Sequence, residues 1–138
     1  MSTLTNNLCT RAHDTRQRKR RQVQELIALA EYLPAPDRVL IEHILGNGVP
    51  VAKIAKLYQR PPRLLRRRAE TIIKRMSNKL FRFVALRHDT LPPEARLTAK
   101  YVVLHGMSLR QAAQASGRTL HHIRQHMNSV HATARLFS

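Results

Sequence analysis

Apolar residues recur every three or four positions along most of the chain. Val23, Leu26, Ile27, Ala30 and Leu33 step in this way and predict an amphipathic helix over about 16–33. The same spacing, interrupted by Gly and Pro, predicts helices over 35–46, 50–57 and 62–87, then over 93–105, 108–115 and 119–135. The 62–87 stretch holds neither Gly nor Pro, which predicts one long helix. Sustained alternation of β-branched residues is scarce, so the pattern reads as all-α. Residues 1–15 (MSTLTNNLCTRAHDT) are polar and aperiodic and read as a flexible polar tail ahead of a basic amphipathic helix, 16–33.

The pattern repeats. LPAPDRVLIEHILGNGVPVAKIAKLYQRPPRLLRR begins at Leu33, and LPPEARLTAKYVVLHGMSLRQAAQASGRTLHHIRQ begins at Leu91. Gly48 meets Gly106 without a gap at an offset of 58 positions, Ile54-Ala55 meets Ala112-Ala113, and Gln59 meets Gly117. Each copy reads as helix, Gly turn, short helix, tight turn and longer helix. The boundaries expected are 34–88 for the first unit and 89–138 for the second.

Charge narrows the class. The chain carries 25 Lys+Arg against 8 Asp+Glu, a formal net charge of +17. Such an excess opposes folding by self-repulsion and points to a polyanionic partner. Most of the cations are Arg, which forks onto phosphates and guanine edges better than Lys. With 4% aromatic residues and no Trp, the core must be aliphatic. Cys9 has no second cysteine to pair with, which fits a reducing cytoplasm. No apolar run approaches a membrane span and no secretory signal is evident, so the expectation is a cytoplasmic, nucleoid-associated protein with no membrane partner.

A helix that lies in a major groove needs a slim partner helix, a tight turn and an outer face of donors. In the second copy Ser108 can cap the short helix, Ala112, Ala113 and Ala115 keep it slim, Gly117 permits the turn and Thr119 can cap the next helix. Ile123, Met127 and Val130 form its buried stripe, leaving Leu120, His121, Arg124, Gln125 and Asn128 outside; His122 and Thr119 join the candidate DNA contacts. Arg, Gln and Asn pair bidentately with guanine and adenine edges. In the first copy Pro61-Pro62 can open the longer helix. Leu64, Leu65, Ala69, Ile72, Ile73 and Met76 would face inward, with Arg63, Arg66 and Arg67 directed outward and Arg68 nearby, all four candidate DNA contacts. A solvated polar face would intersperse Glu, yet residues 60–87 hold Glu70 alone. Arg18, Lys19, Arg20 and Arg21 crowd the positive end of the first predicted helix, a poor place for cations unless phosphate is near.

At these residues the sequence resembles the C-terminal domain (region 4) of bacterial RNA polymerase sigma factors, in two copies. The second copy matches its Gly-hydrophobic-Ser start, Gly turn, Thr cap and Ile-Arg-Gln helix through Gly106-Met107-Ser108, Gly117, Thr119 and Ile123-Arg124-Gln125. The first copy keeps Gly48-Val49-Pro50 and Ile54-Ala55 but has Gln59 at the turn and Arg60-Pro61-Pro62 at the cap. The resemblance covers about 33–78 and 91–135. It implies tandem helix-turn-helix units joined by a long helix, and a bacterial or phage transcription regulator that binds duplex DNA. RNA polymerase is a second candidate partner, because such domains also bind the polymerase and anti-sigma proteins. No segment matches the −10-melting domain, so a duplicated module is expected, not a complete sigma factor.

Other chemistries find little support. His122 and His126 stand at i and i+4, but no Cys is near and no acid follows Glu94, so no metal site is expected. There is no glycine-rich phosphate loop, carboxylate cluster or nucleophile–base pair, so neither an enzyme, a small-molecule substrate nor a cofactor is expected. A low-specificity nucleoid or RNA-binding protein remains the third reading, and a monomer or weak dimer the expected state.

Overall fold

The computed structural model describes residues 2–137, with side chains from Thr10 to Phe137; Cys9 lies outside the described side chains. The described residues form helices joined by short turns, without strands. The α-helices are α1 (Ser2–Leu29), α2 (Ala35–Ile41), α3 (Val51–Tyr58), α4 (Pro62–Met76), α5 (Lys79–Leu86), α6 (Pro93–Ala99), α7 (Leu109–Ser116) and α8 (Leu120–Leu136).

The offset of 58 governs the architecture down to single turns. A 3-10 turn at Ala30–Tyr32 recurs at His88–Thr90, and a π turn at Glu42–Gly46 recurs at Lys100–Leu104. After each π turn a glycine, Gly48 or Gly106, takes positive φ. The next amide then reaches back across the turn, Val49 to the His43 carbonyl and Met107 to that of Tyr101, which satisfies carbonyls left open at a helix end. By this register α5 is the second repeat's counterpart of residues 21–28 of α1.

Three differences from the sequence pattern have physical causes. Helix α1 starts at Ser2, not near 16; from Thr10 to Gln22 its side chains are exposed, and burial begins with the partly covered Val23. Good helix formers sustain that stretch where no apolar stripe marks it. The expected single helix over 62–87 is broken into α4 and α5. Ser77 Oγ bonds back to the Ile73 carbonyl, and Asn78, in an extended conformation, accepts from the Leu80 amide as an N-cap. The buried stripe Leu65, Ala69, Ile72, Met76 resumes out of phase at Phe81, Val84 and Ala85, so a continuous helix would have turned one of the two sets to solvent. Finally Leu64, expected inside, is 50% exposed.

One core runs through both repeats, with Ile41, Ile54 and Ile72 from the first joined to Val84, Leu91, Val103 and Val130 from the second. At their meeting point lies a polar clasp. Asp37, almost fully buried, accepts from Arg68 at 2.6 Å and faces Arg75 at 3.7 Å. Arg75 also donates to the Leu104 carbonyl at 3.3 Å, at the end of the second repeat's π turn. Its guanidinium lies directly under Gly106, where a Cβ would stand 2.2 Å from one nitrogen. Burial pulls the Arg75 pKa down and Asp37 opposes that fall, so the carboxylate keeps a desolvated cation in place.

Asp37→Ala is expected to lower unfolding free energy by about 3 kcal/mol, the lower end of the loss seen when one member of a buried pair is removed, because Arg68 is half-exposed; urea denaturation reads it. Gln59 occupies the left-handed region (φ 52) that Gly117 fills in the second repeat. Gln59→Gly should therefore stabilise the chain by about 1 kcal/mol, the steric cost a side chain incurs there, and a lower denaturation midpoint would contradict this.

Candidate nucleic-acid interface

Helices α3–α4 and α7–α8 are each a short helix, a left-handed turn and a longer helix. The turn closes the same way twice, with the Arg60 amide on the Ala55 carbonyl and the Arg118 amide on that of Ala113. Gln59 thus adopts the glycine conformation despite its side chain. In the second repeat the capping residues are spent as such. Ser108 and Gln111 form a reciprocal capping box. Thr119 Oγ1 accepts from the His122 amide and lies 2.8 Å from His122 Nδ1. Of the second-copy candidates, Thr119 and His122 therefore bond to each other.

The remaining candidates fall into one register. Arg63, Arg66 and Arg67 on α4 correspond to His121, Arg124 and Gln125 on α8, and all six are exposed. Buried Leu65 and Ala69 on α4, and Ile123 and Met127 on α8, fix the opposite face of each helix. No hydrogen bond or ion pair within the described residues occupies the side chains of Arg63, Arg66, Arg67, Arg124, Gln125 or Asn128. Arg68 differs: its guanidinium is held by Asp37 through both Nε and Nη2. Its counterpart, His126, also turns inward. His126 Nδ1 lies 2.9 Å from the buried Thr98 hydroxyl and 3.2 Å from Arg118, whose guanidinium also donates to the Glu94 carbonyl. A guanidinium can only donate, so Nδ1 accepts and the ring proton sits on Nε2.

The sequence marks Glu70 as the one acid of residues 60–87 but not its place on the outer face. It is exposed and stands at the register of Asn128, inside the row of arginines, without an ion pair among the described residues. The repeat offset was the signal that would have found it. Arg18, Lys19, Arg20 and Arg21 are all exposed on α1, but because that helix starts at Ser2 they lie about four turns inside it and not at its positive end; four successive positions also spread around a helix with 100° steps.

Among the described residues, no group of three or more His, Cys, Asp or Glu is arranged to hold a metal ion. No helix among them is long and apolar enough to cross a membrane. In comparison with known proteins, no family model, curated protein or solved structure matches this chain.

Two partly buried histidines make stability depend on pH. Burial first, then Arg118 and His122, hold His126 below the usual histidine value, with Glu94 opposing. His105 is lowered by burial, Lys100 and Arg75, again against an acid, Asp37. The fold favours the neutral ring at both, so their contribution is complete above the unfolded value of about 6.5 and is lost as pH falls from there through the lower folded values. Melting temperature should drop between pH 7.5 and pH 5, and the drop should shrink in the His105→Asn, His126→Asn double variant. An identical drop in that variant would place the titration elsewhere.

Proposed function

We propose that this chain is a duplex-DNA-binding transcription regulator that presents α4 and α8 to major grooves. The observation that carries the reading is the repeat-equivalent row of exposed donors on the two longer helices. Each row is backed by a buried stripe and left without intramolecular partners. Groups so placed are available to phosphates and base edges, and the net charge of +17 supplies the long-range attraction.

The two rows differ in chemistry. Arg63, Arg66 and Arg67 favour phosphate, whereas Arg124, Gln125 and Asn128 carry the side chains that read guanine and adenine. The first repeat accordingly serves mainly as a clamp and the second as the reader, with Arg18, Lys19, Arg20 and Arg21 adding phosphate contacts. A protein working this way belongs with the nucleoid of a bacterial or phage system. Tandem units in one chain take the place of a dimer. The resemblance to sigma region 4 agrees with this reading and adds RNA polymerase as a partner to be tested.

Replacing Arg66 and Arg67 with Ala should weaken binding to every duplex and reduce the slope of log affinity against log salt by about 1.8, two phosphate contacts' worth. Fluorescence anisotropy titrations at several salt concentrations measure this, and an unchanged slope would remove α4 from the phosphate backbone. Replacing Arg124 and Gln125 with Ala should cut the preference for a selected site over random duplex by roughly tenfold or more, with the salt slope nearly preserved. Equal affinity of the unaltered chain for selected and random duplexes would instead favour a low-specificity nucleoid or RNA-binding protein.

A further inference from the structure

Between α5 and the C-terminal half of α8 lies a cleft of about 680 Å³. Leu80, Phe83, Leu86 and Phe137 form its apolar part, cations such as Lys79 and Arg87 stand around it, and no acidic residue lines it. Leu86 is 56% exposed and Phe137 48%. Phe137 stacks on Phe83 with ring centres 5.9 Å apart, and the Arg87 guanidinium stands 5.3 Å from the same ring. A contiguous exposed apolar surface with a polar rim marks an interaction site more often than a free surface.

The first repeat shows what covers such a groove. At the same register, Gln22, Glu25 and Met76 stand where the second repeat has Leu80, Phe83 and Ala134. There the cleft measures about 320 Å³, because the first turn of α5 walls it and Arg82 of that helix pairs with Glu25 at 3.4 Å. A helix closes the groove, through a cation on the incoming element and a carboxylate on the groove. In the second repeat the groove position is apolar, the rim is cationic, and no helix among the described residues closes it. The polarity of the junction is reversed.

We infer that the α5–α8 cleft docks an amphipathic, acidic helix of a partner protein, with its apolar stripe against Leu80, Phe83 and Leu86 and its carboxylates facing the rim. A second copy of this chain is a poor occupant, since its net charge of +17 would oppose the cationic rim. Arg124 and Phe137 are 13 positions apart along α8, about 20 Å, so the cleft can be filled while the outer face of α8 is engaged. This inference does not rest on the DNA reading.

The probe is a fluorescein-labelled synthetic helix with Leu at i, i+3, i+4 and i+7 and Glu at the flanking positions; its counterpart carries Lys in place of Glu. The expected result is saturable binding of the Glu helix to the full chain, with amide shift changes centred on 80–87 and 131–137. Binding should be at least tenfold weaker in Leu86→Glu and intermediate in Leu86→Ala, with the melting temperature of both variants unchanged. Several results would overturn the inference. They are no binding, equal binding of the Lys helix, or shift changes centred on Arg63–Arg67 and Arg124, which would mean nonspecific polyanion capture. Self-association lost in Leu86→Glu, or cleft-dependent binding to anionic phospholipid vesicles with none to the helix, would assign the cleft to a different occupant.

Discussion

Asp37 lies at the start of α2, bonded to Arg68 and facing Arg75, and Arg75 reaches on to the Leu104 carbonyl beneath Gly106. Among the described residues, the other ion pair between the repeats, Arg82 with Glu25, is exposed, so this carboxylate is where direction is imposed on their meeting. Apolar packing tolerates sliding; a guanidinium held between a carboxylate and a carbonyl does not. Gly106 serves two needs at once. Its positive φ ends the π turn, and its missing side chain leaves room for Arg75. The second repeat has Ala95 at the register of Asp37, so the clasp belongs to the junction and not to the repeat.

The repeat itself was legible because glycine, the Leu-Pro starts and the apolar stripes all keep the offset of 58. That offset carried the π turns and the capping turns with it. What escaped was decided by contacts across the chain. Gln59 adopts the glycine conformation because the helices on either side are already packed, overriding local preference. The end of α4 was hidden because Ser77 and Asn78 look unremarkable in a stretch without Gly or Pro, although Asn is a strong cap. Arg68 was indistinguishable in sequence from Arg66 and Arg67; only the position of Asp37, far upstream in the chain, separates an anchored guanidinium from two exposed ones. His126 parts from His121 in the same way, through Thr98 and Arg118.

The division between repeats follows from substitutions on a shared scaffold. One buried stripe orients α4 and α8 alike, so differences in their outer rows translate directly into differences in what each can bind. Arginine at three register positions makes a surface suited to uniform negative charge, with Glu70 as its one dissenting group. His121, Arg124, Gln125 and Asn128 make a surface whose donors and acceptors can distinguish base pairs. At the far end of α8 the same logic gives an apolar groove where the first repeat has a closed one. The two units thus bury the same register positions, Leu65, Ala69 and Ile72 in the first and Ile123, Met127 and Val130 in the second, and part company most in charge at the exposed ones.

We propose that both longer helices, held in one frame, address one duplex. Hydroxyl-radical footprinting of the unaltered chain on a site selected from random duplex DNA tests it most directly. Two separate protected stretches per bound molecule are expected, one of them lost when Arg63, Arg66 and Arg67 are replaced with Ala. A single protected stretch that survives those replacements unchanged would contradict it.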